Sequence, residues 1–519
     1  MADNTGAPAP FDPPYETLDA QSSPLQTGGR KRGLMIGVAV VGAAVLGAGA
    51  WAATSFLSGG ADVAEGLPDA TLAYATIDLD PGGKQQVEAY QTLKKFPSVS
   101  EQLDKDAAED FRKQITTWLR EEGDCPEVDF AKDVEPWVGT TAALGAVDLG
   151  EDTPTPFGVV QVTDAAKAEA GVKKLAACGG GVDGAPWSID GDWATFAETE
   201  SLAGKVAAAT KKGSLADNSA HKRWMDELGD LGMVTFYISP DAPAALTSAM
   251  EDLDELGMAA LPSADLYEDF EGAAATVRFA DGGLELAGAG SGGKQFNDIN
   301  GEAAGAAVAA LPDDTLAAFS YSVTEKYADL LVDMMKSQDE EMISSLEDGT
   351  GLSLPEDLAT LLGKSMTASI GGDIDIDALV NSADPSSIPF ALRLEGDGPA
   401  IDDVITKLES GAGLPPEFTA RDSEGDLVVL GPNADYRSQV LAGGKLGDGD
   451  VFRDVVPEAD NASVVFYLDF DAADDWLYGL AKESGDDEVA ANVKELSAFG
   501  MSVWQDDDVN RMLLRLTTD

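Results

Sequence analysis

Histidine is all but missing: His221 is the only one in 519 residues. Zinc sites built on histidine, Ser-His-Asp triads and Cys-His dyads therefore have a single residue to draw on, with no second candidate. Cysteine is nearly as scarce, with only Cys125 and Cys178. Neither stands directly after the apolar run near the N-terminus, which excludes lipoprotein attachment. Cations are few. Lys and Arg total 34 against 93 Asp and Glu, a formal net charge of −59. Such a chain repels phosphate backbones and anionic headgroups, so nucleic acid is excluded as a partner. Cationic partners and divalent metals are electrostatically allowed, and the simplest role of the acidity is to keep an exposed protein soluble.

What is present is enough to fold. The chain is 44% hydrophobic and 24% charged, and it is long enough for more than one domain. Residues 33 to 61 carry no charge. Their core, Leu34 to Leu57, would span about 36 Å as a helix at about 1.5 Å per residue, enough to cross a hydrocarbon layer of about 30 Å. Arg30, Lys31 and Arg32 stand just before it, and Asp62 and Glu65 just after. The positive-inside rule then predicts a cytoplasmic N-terminus, a single transmembrane helix at 33–59 in contact with the lipid bilayer, and an extracellular C-terminal bulk at the cell membrane. The rival is a cleavable signal peptide, for which Ala48-Gly49-Ala50 and Ala50-Trp51-Ala52 supply small-x-small sites. The tail, 1–32, is rich in proline, lacks apolar periodicity and is expected to be disordered. Gly33 and Gly37 form a GxxxG spacing that would permit a weak homodimer, although so Gly/Ala-rich a segment contains it by chance. Only Asp3, Asp12, Glu16 and Asp19 precede residue 61, so the acidity belongs to the region beyond the apolar run.

That region repeats itself. Leu67-Pro-Asp-Ala-Thr-Leu-Ala73 recurs as Leu311-Pro-Asp-Asp-Thr-Leu-Ala317. Pro156-Phe157 then matches Pro389-Phe390, and Gly191-Asp192 matches Gly425-Asp426. Gly213-x-Leu215-x-Asp217 matches Gly444-x-Leu446-x-Asp448, and Val234-Thr-Phe-Tyr237 matches Val464-Val-Phe-Tyr467. The order is kept, and the offset drifts only from 244 to 230 residues, as loop insertions in a duplicated unit would produce. The expected organisation is repeat 1 at 66–287, a linker at 288–309 and repeat 2 at 310–519. Strands are predicted at 71–79, 141–148, 157–162, 193–197, 234–238, 273–279, 284–287, 500–505 and 511–516. Helices are predicted after Pro81 with an apolar face of Val87, Tyr90, Leu93 and Phe96, at 103–118, at 165–177 and at 201–210. Adjacent strands with short connections predict an α+β fold: two tandem copies of a mixed, largely antiparallel sheet-and-helix domain, preceded by one transmembrane helix.

Residues 67–81 (Leu-Pro-Asp-Ala-Thr-Leu-Ala-Tyr-Ala-Thr-Ile-Asp-Leu-Asp-Pro), Leu93-Lys-Lys-Phe-Pro97 and Pro136-Trp-Val-Gly139 resemble the bacterial "domain of unknown function 3352" family. The resemblance covers roughly 66 to 519. It implies an actinobacterial-type envelope protein with an N-terminal anchor. It implies no activity and no catalytic residues, because its motifs are strand, cap and turn residues.

Each candidate site has a plain alternative. Outside the cell, Cys125 and Cys178 suggest a disulfide, stabilising by roughly 4 kcal/mol through the loop it closes; two free thiols are the alternative. Both lie in repeat 1, so the fold itself does not require the bridge. Gly288-Ala-Gly-Ser-Gly-Gly-Lys294 fits GxGxxG and GxxxxGK, but Gln295 stands where a P-loop needs Ser or Thr, so it reads as a connector and implies no cofactor. His221 aligns with Phe452 of the second repeat, which argues for packing or surface rather than catalysis. Asp373, Asp375 and Asp377 alternate as a calcium loop begins, but Ala378 and Asp384 replace its Gly and Glu. No metal site and no catalytic residue are therefore assigned. Three functions stay open. The first is a non-enzymatic extracytoplasmic binding or scaffold domain for an envelope protein or polymer, with a groove between its copies. The second is a carrier or chaperone for an apolar ligand. The third is a carboxylate-dependent hydrolase, which needs two convergent carboxylates with shifted pKa values in a cleft.

Overall fold

The computed structural model describes residues 62–78, 83–100, 128–151, 153–178, 186–245, 269–291, 299–338, 340–373, 385–413, 416–483 and 487–519. The expected tail and anchor, 1–59, lie outside these residues, as does the helix expected at 103–118. No described helix is long and apolar enough to cross a membrane.

Runs with period-two apolar patterning form strands. In the first part of the chain these are β1 (Thr71–Asp78), β2 (Val138–Val147), β3 (Thr155–Val162), β4 (Trp187–Asp190), β5 (Trp193–Ala197), β6 (Val234–Ile238), β7 (Ala273–Ala280) and β8 (Gly283–Gly290). In the second they are β9 (Thr315–Tyr321), β10 (Ser365–Gly371), β11 (Phe390–Glu395), β12 (Arg421–Glu424), β13 (Leu427–Leu430), β14 (Ala462–Asp469), β15 (Leu496–Asp506) and β16 (Val509–Thr518). Every paired neighbour is antiparallel.

The expectation of a separate sheet in each repeat needs correction. All sixteen strands form one sheet, in the order β12-β13-β11-β10-β9-β14-β15-β16-β8-β7-β6-β1-β2-β3-β5-β4. Counted outward from the β8–β16 seam, the two sides run through their strands in the same sequence-relative order. The seam pairs Gly283 with Thr517 through to Gly290 with Asn510. Residues 288–290, read above as the start of a linker, therefore belong to β8. A Cβ at Gly290 would lie 2.8 Å from the Ala273 Cβ, so glycine allows the close approach there. At the far end of the expected linker, Ala304–Ala309 is helical, and Ala304 and Val308 pack into the core of the second side.

The repeated motifs are structural devices. Thr71 and Thr315 each donate a backbone N–H and a hydroxyl to the carbonyl three residues back, with both hydroxyl bonds at 2.7 Å. Leu215 N–H donates to Leu67 O at 2.8 Å, and Leu446 N–H to Leu311 O at 3.1 Å, so each Gly-x-Leu-x-Asp turn is stitched beneath a Leu-Pro-Asp turn. Gly191 (φ 56°) and Gly425 (φ 63°) open the two-residue turns of β4–β5 and β12–β13 with the left-handed conformation such hairpins require. The two main cores follow the same correspondence. Leu67, Leu215, Trp224 and Tyr237 fill one, and Leu311, Leu446, Val455 and Tyr467 the other.

Two local expectations need revision. In the helix Gly83–Leu93 the buried side chains are Gln86, Ala89, Thr92 and Leu93, while Val87 and Tyr90 are 43% and 40% exposed. The packed face is rotated from the one that hydropathy marks, because the small Ala89 allows the helix to settle onto β7 beside Met233 and Phe279. The helix Ser219–Leu228 is also absent from the sequence reading. Its surface is charged and its only large apolar residues are Trp224, Met225 and Leu228, although Asn218 caps it by accepting from the Ala220 and His221 N–H groups.

Candidate functional site

A cleft of about 330 Å³ opens at the seam, on the sheet face that carries Tyr74 and Tyr237. Strand register lays out its floor. Arg278, Glu285 and Arg515 stand side by side across β7, β8 and β16. Two residues along the strands come Ala287 and Leu513, and two further along Arg511 and its β15 partner Trp504. One wall is the C-terminal end of the helix Ser219–Leu228, with Glu227 and Leu228. The other is Pro457 and Glu458, just beyond the helix Asp450–Val455.

The guanidiniums are there because two helices end there. The last carbonyls of a helix lack intrahelical donors and carry partial negative charge. Arg278 donates to the carbonyls of Leu228 and Asp230, at 3.5 and 2.7 Å. Arg511 donates to Glu227 O at 3.0 Å, and Arg515 to Asp454 O at 2.9 Å. The same side chains form ion pairs. Glu285 is 2% exposed and is held from both sides: Arg278 Nε reaches its Oε1 at 2.6 Å, and Arg515 Nη2 its Oε2 at 2.6 Å. Arg511 Nη2 meets Glu227 Oε2 at 2.6 Å. The pairs of Arg515 and Arg511 cross the seam, as does Arg223 to Asp508 at 2.9 Å. Three guanidiniums thus face three carboxylates, Glu227, Glu285 and Glu458, in the lining. The cleft is rich in charge yet close to neutral. It presents donors and acceptors in fixed positions beside the half-buried Trp504.

A second cluster is buried in the first core. Tyr74 Oη lies 2.9 Å from His221 Nε2, and the His221 and Tyr237 rings meet edge-on at 5.0 Å. Burial holds the imidazole below its ordinary pKa, drives the Tyr74 hydroxyl well up, and pushes Tyr237 up to about 12. The Tyr237 hydroxyl is buried with no partner among the described residues. On the other side, Phe452 packs on Tyr467 in the corresponding place. His221 is 3% exposed and a neutral, hydrogen-bonded core residue, which matches its alignment with Phe452.

The structure brings none of the residues singled out from the sequence into the cleft except Gly288, whose backbone lines it. Cys125 lies outside the described residues. Cys178 ends the helix Ala165–Cys178 without its side chain being described, so the pairing falls outside as well. Of the calcium-like run only Asp373 is described, and among the described residues no group of three or more His, Cys, Asp or Glu could hold a metal. Gly292 to Lys294 are likewise outside. The residues that sequence reasoning missed are Arg278, Glu285, Arg511, Arg515 and Trp504. A usable signal existed: Arg278 and Glu285 are equidistant from the Asp281-Gly282 turn, and Arg511 and Arg515 share one face of a strand. No family model, curated protein or solved structure matches the chain.

Proposed function

We propose that this chain is a non-enzymatic binding module of the cell envelope, tethered by a helix at 33–59 with its acidic bulk outside, and that its ligand occupies the cleft at the seam. In this reading 66–287 and 310–519 are two copies of one α+β unit fused through β8 and β16. The shared strand order and the corresponding cores support the duplication. The observation that carries the binding reading is the cleft itself, because sites between structural units are where ligands collect. Its most buried carboxylate, Glu285, is 2% exposed with both oxygens occupied by two guanidiniums, so it is out of reach of a substrate, which counts against the hydrolase reading.

The test is photo-crosslinking in intact cells. A crosslinking side chain at Glu458 should capture envelope material, and one at Val87, exposed on the helix that covers the opposite face of β7, should capture little. Equal yields at the two positions would remove the cleft from consideration. Protease added to intact cells should at the same time degrade the acidic region; protection until lysis would overturn the topology.

A carrier of apolar molecules is the second reading, and one observation favours it. The opposite sheet face presents Leu144 and Ile238, two strands apart on either side of β1 and each more than two-fifths exposed. Co-purifying lipid at a fixed ratio, measured by mass spectrometry, would support it, and a lipid-free chain would count against it.

A further inference from the structure

We infer that the ligand of the seam cleft is a neutral saccharide, one or two rings of an envelope glycan; this rests on the binding reading above. The inference comes from how the charges are spent. Arg278 and Arg515 share Glu285, and Arg511 holds Glu227. A phosphate or carboxylate entering the cleft would have to displace one of those carboxylates, and Glu458 and Asp506 stand near to oppose it. An ammonium group would meet three guanidiniums. Neither sign of charge is drawn in. A neutral polyol needs no such displacement. Glu285 is saturated by its two arginines, but Arg511 spends only one N–H on each Nη, and the Glu227 and Glu458 carboxylates keep lone pairs, so the lining still presents unused donors and acceptors in fixed directions. Vicinal hydroxyls, each both donor and acceptor, match such an array.

Trp504 supplies the other half of the recognition. It is half-buried in the lining beside Arg511 and offers an apolar surface with a polar edge, suited to the C–H face of a sugar ring. Ala287 on the floor leaves the space above the seam open, and the cleft volume of about 330 Å³ sits at the small end of ligand pockets, which run from about 300 to 1,000 Å³. Because no net charge is exchanged, binding should be nearly indifferent to salt, unlike recognition of an ion.

The experiment titrates the purified full-length chain with neutral hexose and pentose oligosaccharides, with uronic-acid oligosaccharides and with cationic amino-sugar oligosaccharides, by calorimetry. Neutral sugars should bind tightest, with less than about a twofold change in affinity between low and high salt. Ala287→Phe, which fills the floor without touching an ion pair, and Trp504→Ala should each weaken binding at least tenfold. Unfolding midpoints report whether the variants fold, and the ranking of the three sugar classes on the unaltered chain stands whether or not they do. Charged sugars binding tighter than neutral ones, or steep salt dependence, would overturn the saccharide assignment and leave the cleft as the binding site. If no sugar binds while Glu458 still crosslinks in cells, the ligand class alone fails. If both are negative, the binding reading falls with it.

Discussion

At the scale of single residues, His221 shows how one chain can solve the same packing problem twice. Phe452 fills the corresponding site with an apolar ring, whereas His221 fills it with a ring that needs a partner, which Tyr74 supplies. The substitution makes stability depend on pH. The folded imidazole is held below its unfolded value of about 6.5 by burial, with Lys222 acting in the same direction and Asp62 opposing them. Between the two values the unfolded chain binds the proton first. This contribution is therefore complete above about pH 6.5 and is lost as pH falls below it. Urea unfolding at pH 7.5 and 5.5 should show a drop in stability that the Tyr74→Phe/His221→Phe double variant reduces. An unchanged drop would mean that His221 does not titrate in the folding equilibrium. His221 was legible from the alignment of the repeats. Tyr74 as its partner was not, because the residue corresponding to Tyr74 in the second part is Ala318.

At the scale of elements, strands were easier to read than helices. Period-two patterning located β5 and β6 to the residue and seven others to within a few, while β9 to β14 were anticipated only as a repeat of the first part. It missed β4, whose four residues are too few to show a period. The helix Gly83–Leu93 misleads because hydropathy ranks Val87 and Tyr90 above Ala89, while contact with β7 favours the smaller side chain. Leu93→Ala should therefore destabilise by about 2–4 kcal/mol and Val87→Ala by less than about 0.5 kcal/mol in chemical denaturation. The reverse order would restore the hydropathic face. The Arg278–Glu285–Arg515 row has its own test. Glu285→Ala leaves two guanidiniums without their carboxylate and should cost about 3 kcal/mol or more. Replacing all three together by Met, Leu and Met should recover much of that loss. These charges were hard to read because an isolated Arg or Glu in an apolar strand usually marks a solvent-facing position. Here two helix ends, distant in sequence, turn it into a capping position.

For the whole molecule, the matching motifs of the two parts were visible in the sequence but the pairing of β8 with β16 was not. Nothing local distinguishes a strand that ends a unit from one that pairs with the next unit, and the last residues of β8, 288–290, looked like the start of a glycine-rich connector. The seam makes a strong physical demand: separating the two sides breaks eight paired positions and two cross-seam ion pairs of largely buried guanidiniums. Hydrogen exchange should therefore show β8 and β16 among the slowest amides, with protection equal to that of β1 and β9, and unfolding should be a single transition. Two separate transitions would indicate sides that fold independently.

The sheet ends at β4 on one rim and β12 on the other, each only four residues long. A newcomer would find little backbone to zip onto, and Asp190, Asp422 and Glu424 would meet it with like charge in so acidic a protein. Truncated, charged rims are how a broad β surface escapes fibre growth. Crowding of many such molecules is thereby made safe by the parts of the fold that pair least.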